Sequence, residues 1–171
     1  MEEMKYVKQL LQDREYLACV KRLEQLEADR EFCRHGLSHF LDVARIGWIL
    51  ILEHAVKDGM EFQSFLEQKE QIYLTALLHD IGRLAQLEDG TPHESAGKEM
   101  AGRFLRKIDY PISKQPDILE AIQDHRGTRK TNGDLATIIK EADNRSRNCF
   151  FCEALEKCNW EEERRNLSVW Y

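Results

Sequence analysis

The chain has 171 residues and a mass of 20.1 kDa, which suits one domain with a sizeable hydrophobic core. Its 25 basic and 31 acidic side chains give a formal net charge of −6, which argues against a surface devoted to nucleic acid or anionic membrane. The 42% hydrophobic and 33% charged residues exclude a disordered chain and predict a globular one over residues 1–171.

The sequence also predicts where the protein resides. The longest apolar run, Trp48 to Leu52, is too short to span a bilayer. The segment from Met1 to Lys5 is acidic and lacks the apolar stretch of a signal peptide. We therefore expect a cytoplasmic protein with no membrane partner, in which the five cysteines bind metal or pack rather than form disulfides.

Apolar residues recur at helical spacing along nearly the whole chain. Asp13 is the predicted N-cap of an early helix, and residues 1–30 are expected to form a helical cover. The core is expected over residues 33–146, followed by a cysteine- and aromatic-rich segment over residues 147–171. Since no alternating pattern predicts a strand, we expect an all-α fold, a compact helical bundle.

Five helices are predicted in the core, each with a polar residue on its apolar face. Their faces are His39, Val43, Ile46 and Leu50; Ile72, Ala76 and His79; His93, Gly97, Met100 and Phe104; Ile118, Ile122 and His125; and Leu135, Ile139 and Asp143. Asp58-Gly59 is expected to end the first of these helices, and Gly82 to end the second in a left-handed conformation. Thr91 is expected to cap the third helix ahead of Pro92, and Pro116 to begin the fourth.

The polar residues on these apolar faces point to a metal centre. One buried histidine is common, but a buried carboxylate such as Asp143 needs a cation or several hydrogen-bond donors. The set comprises four histidines and two aspartates: His39, His79, Asp80, His93, His125 and Asp143. Nitrogen and oxygen ligands without thiolate suit one or two divalent ions of Fe, Mn, Zn or Ni, or Mg where oxygens dominate.

The order of these residues resembles that of the HD-domain metal-dependent phosphohydrolases. The matching segments are His39, Leu78-His79-Asp80-Ile81-Gly82, His93-Glu94-Ser95-Ala96-Gly97, His125 and Ala142-Asp143. The two additional histidines are similar to the six-ligand subgroup that holds two metals, such as the HD-type diadenosine tetraphosphate hydrolases and the cyclic-di-GMP phosphodiesterases. The resemblance implies one ion on His39, His79, Asp80 and Asp143, and a second ion on His93, His125 and a bridging oxygen of Asp80.

The implied reaction is cleavage of a phosphoester or phosphoanhydride of a nucleotide or similar small phosphorylated metabolite. A divalent pair lowers the pKa of bound water from about 15.7 toward neutrality. Asp80 is the expected bridging ligand, and Arg83, where many relatives have lysine, is the expected main phosphate contact. Arg126 and His35 are further candidates for binding the substrate.

Two other functions use the same ligand set. A diiron oxygenase would show iron-specific, O2-dependent turnover without release of phosphate. A non-catalytic metal- or redox-sensing protein would bind its ligand tightly without turnover. The complete set of six ligands favours catalysis, because pure binding rarely needs an open metal position.

The cysteines form a second candidate site. Cys149, Cys152 and Cys158 have the spacing C-x2-C-x5-C, and zinc or a 4Fe–4S cluster would need Cys33 as the fourth ligand. The pattern is similar to the one-plus-three cysteines of certain exonucleases that carry a 4Fe–4S cluster. The alternative is that Cys33 and Cys152 are small core residues, and Cys19 is expected to pack.

A positional argument favours Cys33 as the fourth ligand. Cys33 precedes His39 by six residues, and Cys149 follows Asp143 by six. On antiparallel helices that share an ion, both cysteines would be displaced by about 9 Å in the same direction. The argument therefore predicts that the two thiols are neighbours.

Aromatic residues near the C-terminus could stack on nucleic acid bases: Phe150, Phe151, Trp160, Trp170 and Tyr171. The run Glu161-Glu162-Glu163 among them repels phosphate. We therefore expect these rings to pack and no polymeric nucleic acid to bind; the sequence leaves the oligomeric state open.

Overall fold

The structure, a computed structural model, describes residues 3–57, 59, 63–125, 135–169 and 171, with side chains omitted at 63–67. Within these ranges the chain forms α-helices and no β-strand, which confirms the all-α prediction. The helices are α1 (Lys5–Gln12), α2 (Arg14–Leu26), α3 (Leu37–Lys57), α4 (Gln63–Leu78), α5 (Arg83–Asp89), α6 (His93–Lys107), α7 (Gln115–Asp124) and α8 (Leu135–Arg145). None of these helices has the length and apolarity needed to cross a membrane.

Two groups of buried apolar side chains hold the helices together. One group joins α1 and α2 to α4, α6 and α7 through residues such as Leu10, Leu23, Leu77, Phe104 and Ile118. The other lies between α3, α4 and α8 and includes Val43, Leu50, Ile72 and Ile138. Each side chain of this size contributes about 1.5–3 kcal/mol when fully buried.

Several predicted helix boundaries are confirmed. The Asp13 carboxylate accepts a hydrogen bond from the Tyr16 N–H at 2.9 Å and so caps α2. Pro116 lies in the first turn of α7. Gly59 has a φ of 65° shortly after the end of α3, while Asp58 lies outside the described residues.

The prediction of a left-handed Gly82 is wrong. Gly82 has φ −66° and ψ −15°, because the turn after α4 continues in right-handed conformation into α5. Glycine is needed here for a different reason. A Cβ atom would lie 2.2 Å from the His93 carbonyl oxygen and 2.3 Å from the Gly97 nitrogen, so only glycine lets this turn touch the start of α6.

The prediction that Thr91 caps α6 is also wrong. Its hydroxyl donates a hydrogen bond to the Asp89 carboxylate at 2.6 Å, within the loop. The helix begins at His93 with Pro92 as its N-cap, and no side chain caps it. The Thr91 hydroxyl is therefore engaged in an Asx-type contact with Asp89 and does not cap α6.

The C-terminal segment consists of short 3-10 turns, Cys149–Phe151, Leu155–Lys157 and Glu162–Arg164. Its rings follow the packing prediction only in part: Tyr171 packs against the α3–α4–α8 core, but Phe150 and Phe151 are 47% and 85% exposed. A turn of three residues is too short to bury the rings of both Phe150 and Phe151 on the same side. Trp170 lies outside the described residues.

Candidate metal centre

The six predicted histidine and aspartate residues come from the ends of five helices. His39 lies in the first turn of α3 and Asp143 in the last turns of α8. His79 and Asp80 form the turn between α4 and α5, which the Gly82 contact presses against the start of α6. His93 begins α6 and His125 directly follows α7, so the helix ends converge on one region.

The structure brings all six side chains together. Within the described residues, three groups have ligand atoms within 4.8 Å of one another: His39, His79 and Asp143; Asp80, His93 and His125; and His35, His39 and Asp80. We call these seven residues the histidine–aspartate cluster. Together the first two groups contain the six predicted ligands, and His35 is an additional potential ligand.

Asp80 lies at the centre of this cluster. Its Oδ1 is 3.7 Å from the Nε2 of His125, and its Oδ2 is 3.6 Å from the Nε2 atoms of both His79 and His35. His39 Nε2 lies 3.4 Å from Asp143 Oδ1 on the other side. A carboxylate placed between several ring nitrogens is suited to bridge two cations.

The ring orientations leave donor atoms facing the centre. The Nδ1 atoms of His79 and His125 lie 2.7 and 2.6 Å from the carbonyl oxygens of Ala76 and Ile122. In the neutral ring these hydrogen bonds place the proton on Nδ1, so that Nε2 presents a lone pair. Metal-binding histidines use the same arrangement.

Many polar atoms of the cluster are buried and have no hydrogen-bond partner among the described residues. They are Nε2 of His39, His79 and His125, both ring nitrogens of His93, and Oδ1 of Asp80. Such a concentration is costly without a ligand, because each unsatisfied buried polar group costs about 1–3 kcal/mol. A cation bound among them removes this cost, so the donor set fits one or two divalent metals.

The protonation states of four of these groups agree with that fit. Burial lowers the pKa of His39 to about 4 and also lowers the pKa values of His79 and His93, which keeps these rings neutral. Burial alone would raise the pKa of Asp80, but neighbouring histidines and Arg83 hold it well below its usual value. Neutral imidazole and ionised carboxylate are the forms that bind metal. His125 differs, because the Asp80 carboxylate outweighs burial and raises its pKa, so a cation bound there would displace a proton.

Arg83 is buried beside Asp80. Its Nε lies 2.8 Å from Asp80 Oδ2, an ion pair that lacks the angle of an aligned hydrogen bond. The guanidinium also lines the cavity above the cluster. Arg83 therefore contacts Asp80 and also faces the cavity in which an anion would bind.

His35 is held by the buried carboxylate of Glu27, a contact that the sequence did not predict. Glu27 is 2% exposed and accepts hydrogen bonds from the backbone N–H of His35 at 2.5 Å and from its Nδ1 at 2.9 Å. The opposite nitrogen of His35 faces Asp80. The sequence does contain a signal for a buried Glu27. This residue continues the apolar face of α2 after Leu23, and a carboxylate buried there needs a partner.

The cluster forms part of the wall of a cavity of about 780 Å³. His35, His39, Arg83, His125 and Asp143 line one side of this cavity, which we call the active cavity. Its size falls within the range of about 300–1,000 Å³ that is typical of small-molecule sites. The candidate phosphate contact Arg126 lies outside the described residues.

A comparison with protein families identifies this arrangement. The family model described as HD domain matches residues 36–148, more than half of the chain. The chain belongs to the HD domain family. This membership confirms the family resemblance and places the protein in a superfamily of metal-dependent phosphohydrolases.

The HD domain chain also has a full-length relative. An uncharacterized protein of Clostridium beijerinckii is 39% identical over 162 residues, which cover 95% of this chain and 96% of that protein. No solved structure matches the chain significantly.

Proposed function

We propose that this HD domain protein hydrolyses a phosphoester or phosphoanhydride bond in a nucleotide or a similar small phosphorylated metabolite. The observation that carries the proposal is the set of unpartnered donor atoms beside the active cavity, whose wall includes His39 and His125 of that set. Membership of the HD domain family supports a metal-dependent hydrolase, and the cavity volume supports a small substrate.

Six side chains would hold the metal ions. One divalent ion would be held by His39, His79, Asp80 and Asp143, and the other by His93, His125 and Asp80. When bound, the metal supplies a water molecule of lowered pKa and positive charge for the phosphate oxygens. The carbonyl oxygens of Ala76 and Ile122 keep two of the rings oriented for this purpose.

Arg83 has two roles in this proposal. After His79 and His125, its charge helps to lower the pKa of Asp80, and its position in the cavity wall allows the guanidinium to contact a phosphate oxygen. His35, fixed by Glu27, is the second proposed substrate contact because it lines the same cavity. Both residues are assigned to substrate binding and positioning.

The metal is proposed to be one of the divalent transition metals Fe, Mn, Zn or Ni. A ligand set rich in imidazole is typical of transition metals and less suited to Mg, which prefers oxygen ligands. The nucleotide character of the substrate and the cytoplasmic location stay predictions from the sequence.

The test is a substrate screen on protein with defined metal content. The full chain is stripped with a chelator, reloaded anaerobically with Mn²⁺ or Fe²⁺, and incubated with a panel of nucleotides, with phosphate and nucleoside products both assayed. The proposal predicts product release that depends on the added metal. Turnover that requires O2 and releases no phosphate, or tight binding without turnover, would contradict it.

A further inference from the structure

Four of the five cysteines lie together in the wall of the active cavity. Cys33 belongs to the loop between α2 and α3, whereas Cys149, Cys152 and Cys158 belong to the segment after α8. All four line the cavity, and none of them forms a disulfide. Partial desolvation, followed by the other three thiols, raises the pKa of Cys33, in agreement with the place of all four residues in one cavity wall.

The positions of the cysteines differ from the helical placement that the spacing predicts. α3 begins at Leu37 and α8 ends at Arg145, so Cys33 and Cys149 lie in loops beyond the helix ends. They are neighbours because the His39 and Asp143 side chains are in contact and both loops leave from that side.

The core-packing alternative for Cys33 is wrong, since this residue is exposed. Its backbone has a φ of 29°, which is unfavourable for a residue other than glycine. Cys152 is half-buried, and Cys19 alone packs against the core, as predicted. Four thiols gathered at a surface cavity do not serve the hydrophobic core.

We propose that Cys33, Cys149, Cys152 and Cys158 bind a 4Fe–4S cluster. Four thiolates are the usual ligand set of this cofactor, and the C-x2-C-x5-C spacing delivers three of them from one segment. The proposal does not depend on the hydrolase activity, because it uses a separate set of ligands.

A zinc ion and a 4Fe–4S cubane place different demands on four thiolates. A tetrahedral zinc site with bonds of about 2.3 Å needs its sulfurs roughly 3.8 Å apart. An iron–sulfur cubane accepts a wider spacing, because each thiolate bonds to a different iron. The cubane therefore suits ligands delivered by two separate loops, as these four cysteines are.

The surrounding charges suit a cofactor that brings negative charge. An oxidised cluster with four thiolates has a net charge of about −2. The cavity wall around the cysteines contains Arg30, Arg34, Arg147 and Arg164. Arg147 and Arg164 both stack on the Trp160 indole, with guanidinium carbons 4.0 and 3.9 Å from the ring centroid, and the charge of Arg147 opposes the rise in the pKa of Cys33.

Such a cluster would join two loops that line the active cavity. In the described structure, the Lys157 ammonium contacts the Glu31 carboxylate at 2.7 Å, an exposed link between the same two loops. Four covalent bonds to one cofactor would fix these loops far more firmly. The cluster is therefore proposed to shape the cavity wall beside the histidine–aspartate cluster.

The experiment measures the cofactor directly. The full chain is purified anaerobically, reconstituted with iron and sulfide, and analysed for iron, acid-labile sulfide and absorption. The proposal predicts about four sulfides per chain and a broad band at about 400 nm. Acid-labile sulfide separates this cofactor from iron bound at the histidine–aspartate cluster, so an Asp80→Asn variant should retain both signals.

Two cysteine variants make the assignment specific. Cys33→Ser should lose most of the sulfide and the 400 nm band, whereas the matched control Cys19→Ser should retain both. Far-ultraviolet circular dichroism of each variant shows that the helices are intact. The proposal is overturned if the reconstituted wild type binds only zinc, if Cys33→Ser keeps its full band, or if all five thiols of the reconstituted protein react freely.

Discussion

The two ligand sets in the wall of the active cavity are built differently. The histidine–aspartate cluster lies at helix ends, with the His79 and His125 side chains fully buried and their rings fixed by backbone carbonyls. The four cysteines lie in loops and short 3-10 turns, and Cys33 is exposed. The first set is therefore held in place by the fold, whereas the second set would be held in place by the proposed cofactor.

Replacing a ligand of the histidine–aspartate cluster should have the largest effect. In His79→Ala we expect phosphohydrolase activity and bound metal to fall by more than about 100-fold, because even groups that only orient metal ligands cost about 10–100-fold. Metal analysis and phosphate release measure this. His54→Ala, on α3 and outside the cluster, is the matched control and should leave both unchanged.

Gly82→Ala tests whether the fold itself holds the cluster. The new Cβ would overlap the backbone of His93 and Gly97, so the turn that carries His79 and Asp80 must move. We expect a loss of stability of about 1–3 kcal/mol and weaker metal binding. Urea unfolding with and without metal measures both effects. A variant as stable and as tightly metal-bound as wild type would show that this contact does not position the cluster.

Glu27→Gln tests the ion pair beneath the loop that carries both His35 and Cys33. Burial would raise the pKa of Glu27, but His35 and Arg30 outweigh it and lower this pKa below its ordinary value of 4.5. The ionised carboxylate therefore stabilises the fold above pH 4.5, and this contribution is lost as the pH falls through the lowered pKa.

At pH 7 we expect Glu27→Gln to lose about 1.5–3 kcal/mol of unfolding free energy. The difference from wild type should shrink as the solution is acidified below the ordinary pKa, which urea unfolding at several pH values would measure. The control Glu88→Gln, which breaks an exposed pair with Arg22, should lose at most about 1 kcal/mol. A deficit that stays constant with pH would contradict the role given to the Glu27 charge.

Lys157→Ala should have the smallest effect. Its ion pair with Glu31 is exposed to solvent and screened by salt, although it joins the two cysteine loops. We expect no resolvable change in the midpoint of thermal unfolding, measured by circular dichroism. A clear decrease would show that the cysteine loops are already fixed by the protein alone, and would remove the contrast between the two ligand sets.

The sequence predicted the placement of the histidine–aspartate cluster because helical periodicity exposes polar residues on apolar faces. His39, His125 and Asp143 were found in this way, and the structure brings them together. The same periodicity could not predict the Gly82 contact, since that depends on how closely α6 approaches the turn. The contact between Glu27 and His35 could not be predicted either, because His35 lies in a loop, where helical periodicity gives no information.

The most direct test of the metal centre is the anomalous scattering of manganese in crystals of the full chain grown with Mn²⁺. The account predicts an anomalous peak about 2.0–2.2 Å from the Nε2 of at least one cluster histidine and from a carboxylate oxygen of Asp80. Crystals with saturating Mn²⁺ in which no peak lies within bonding distance of His79, His125 or Asp80 would contradict it.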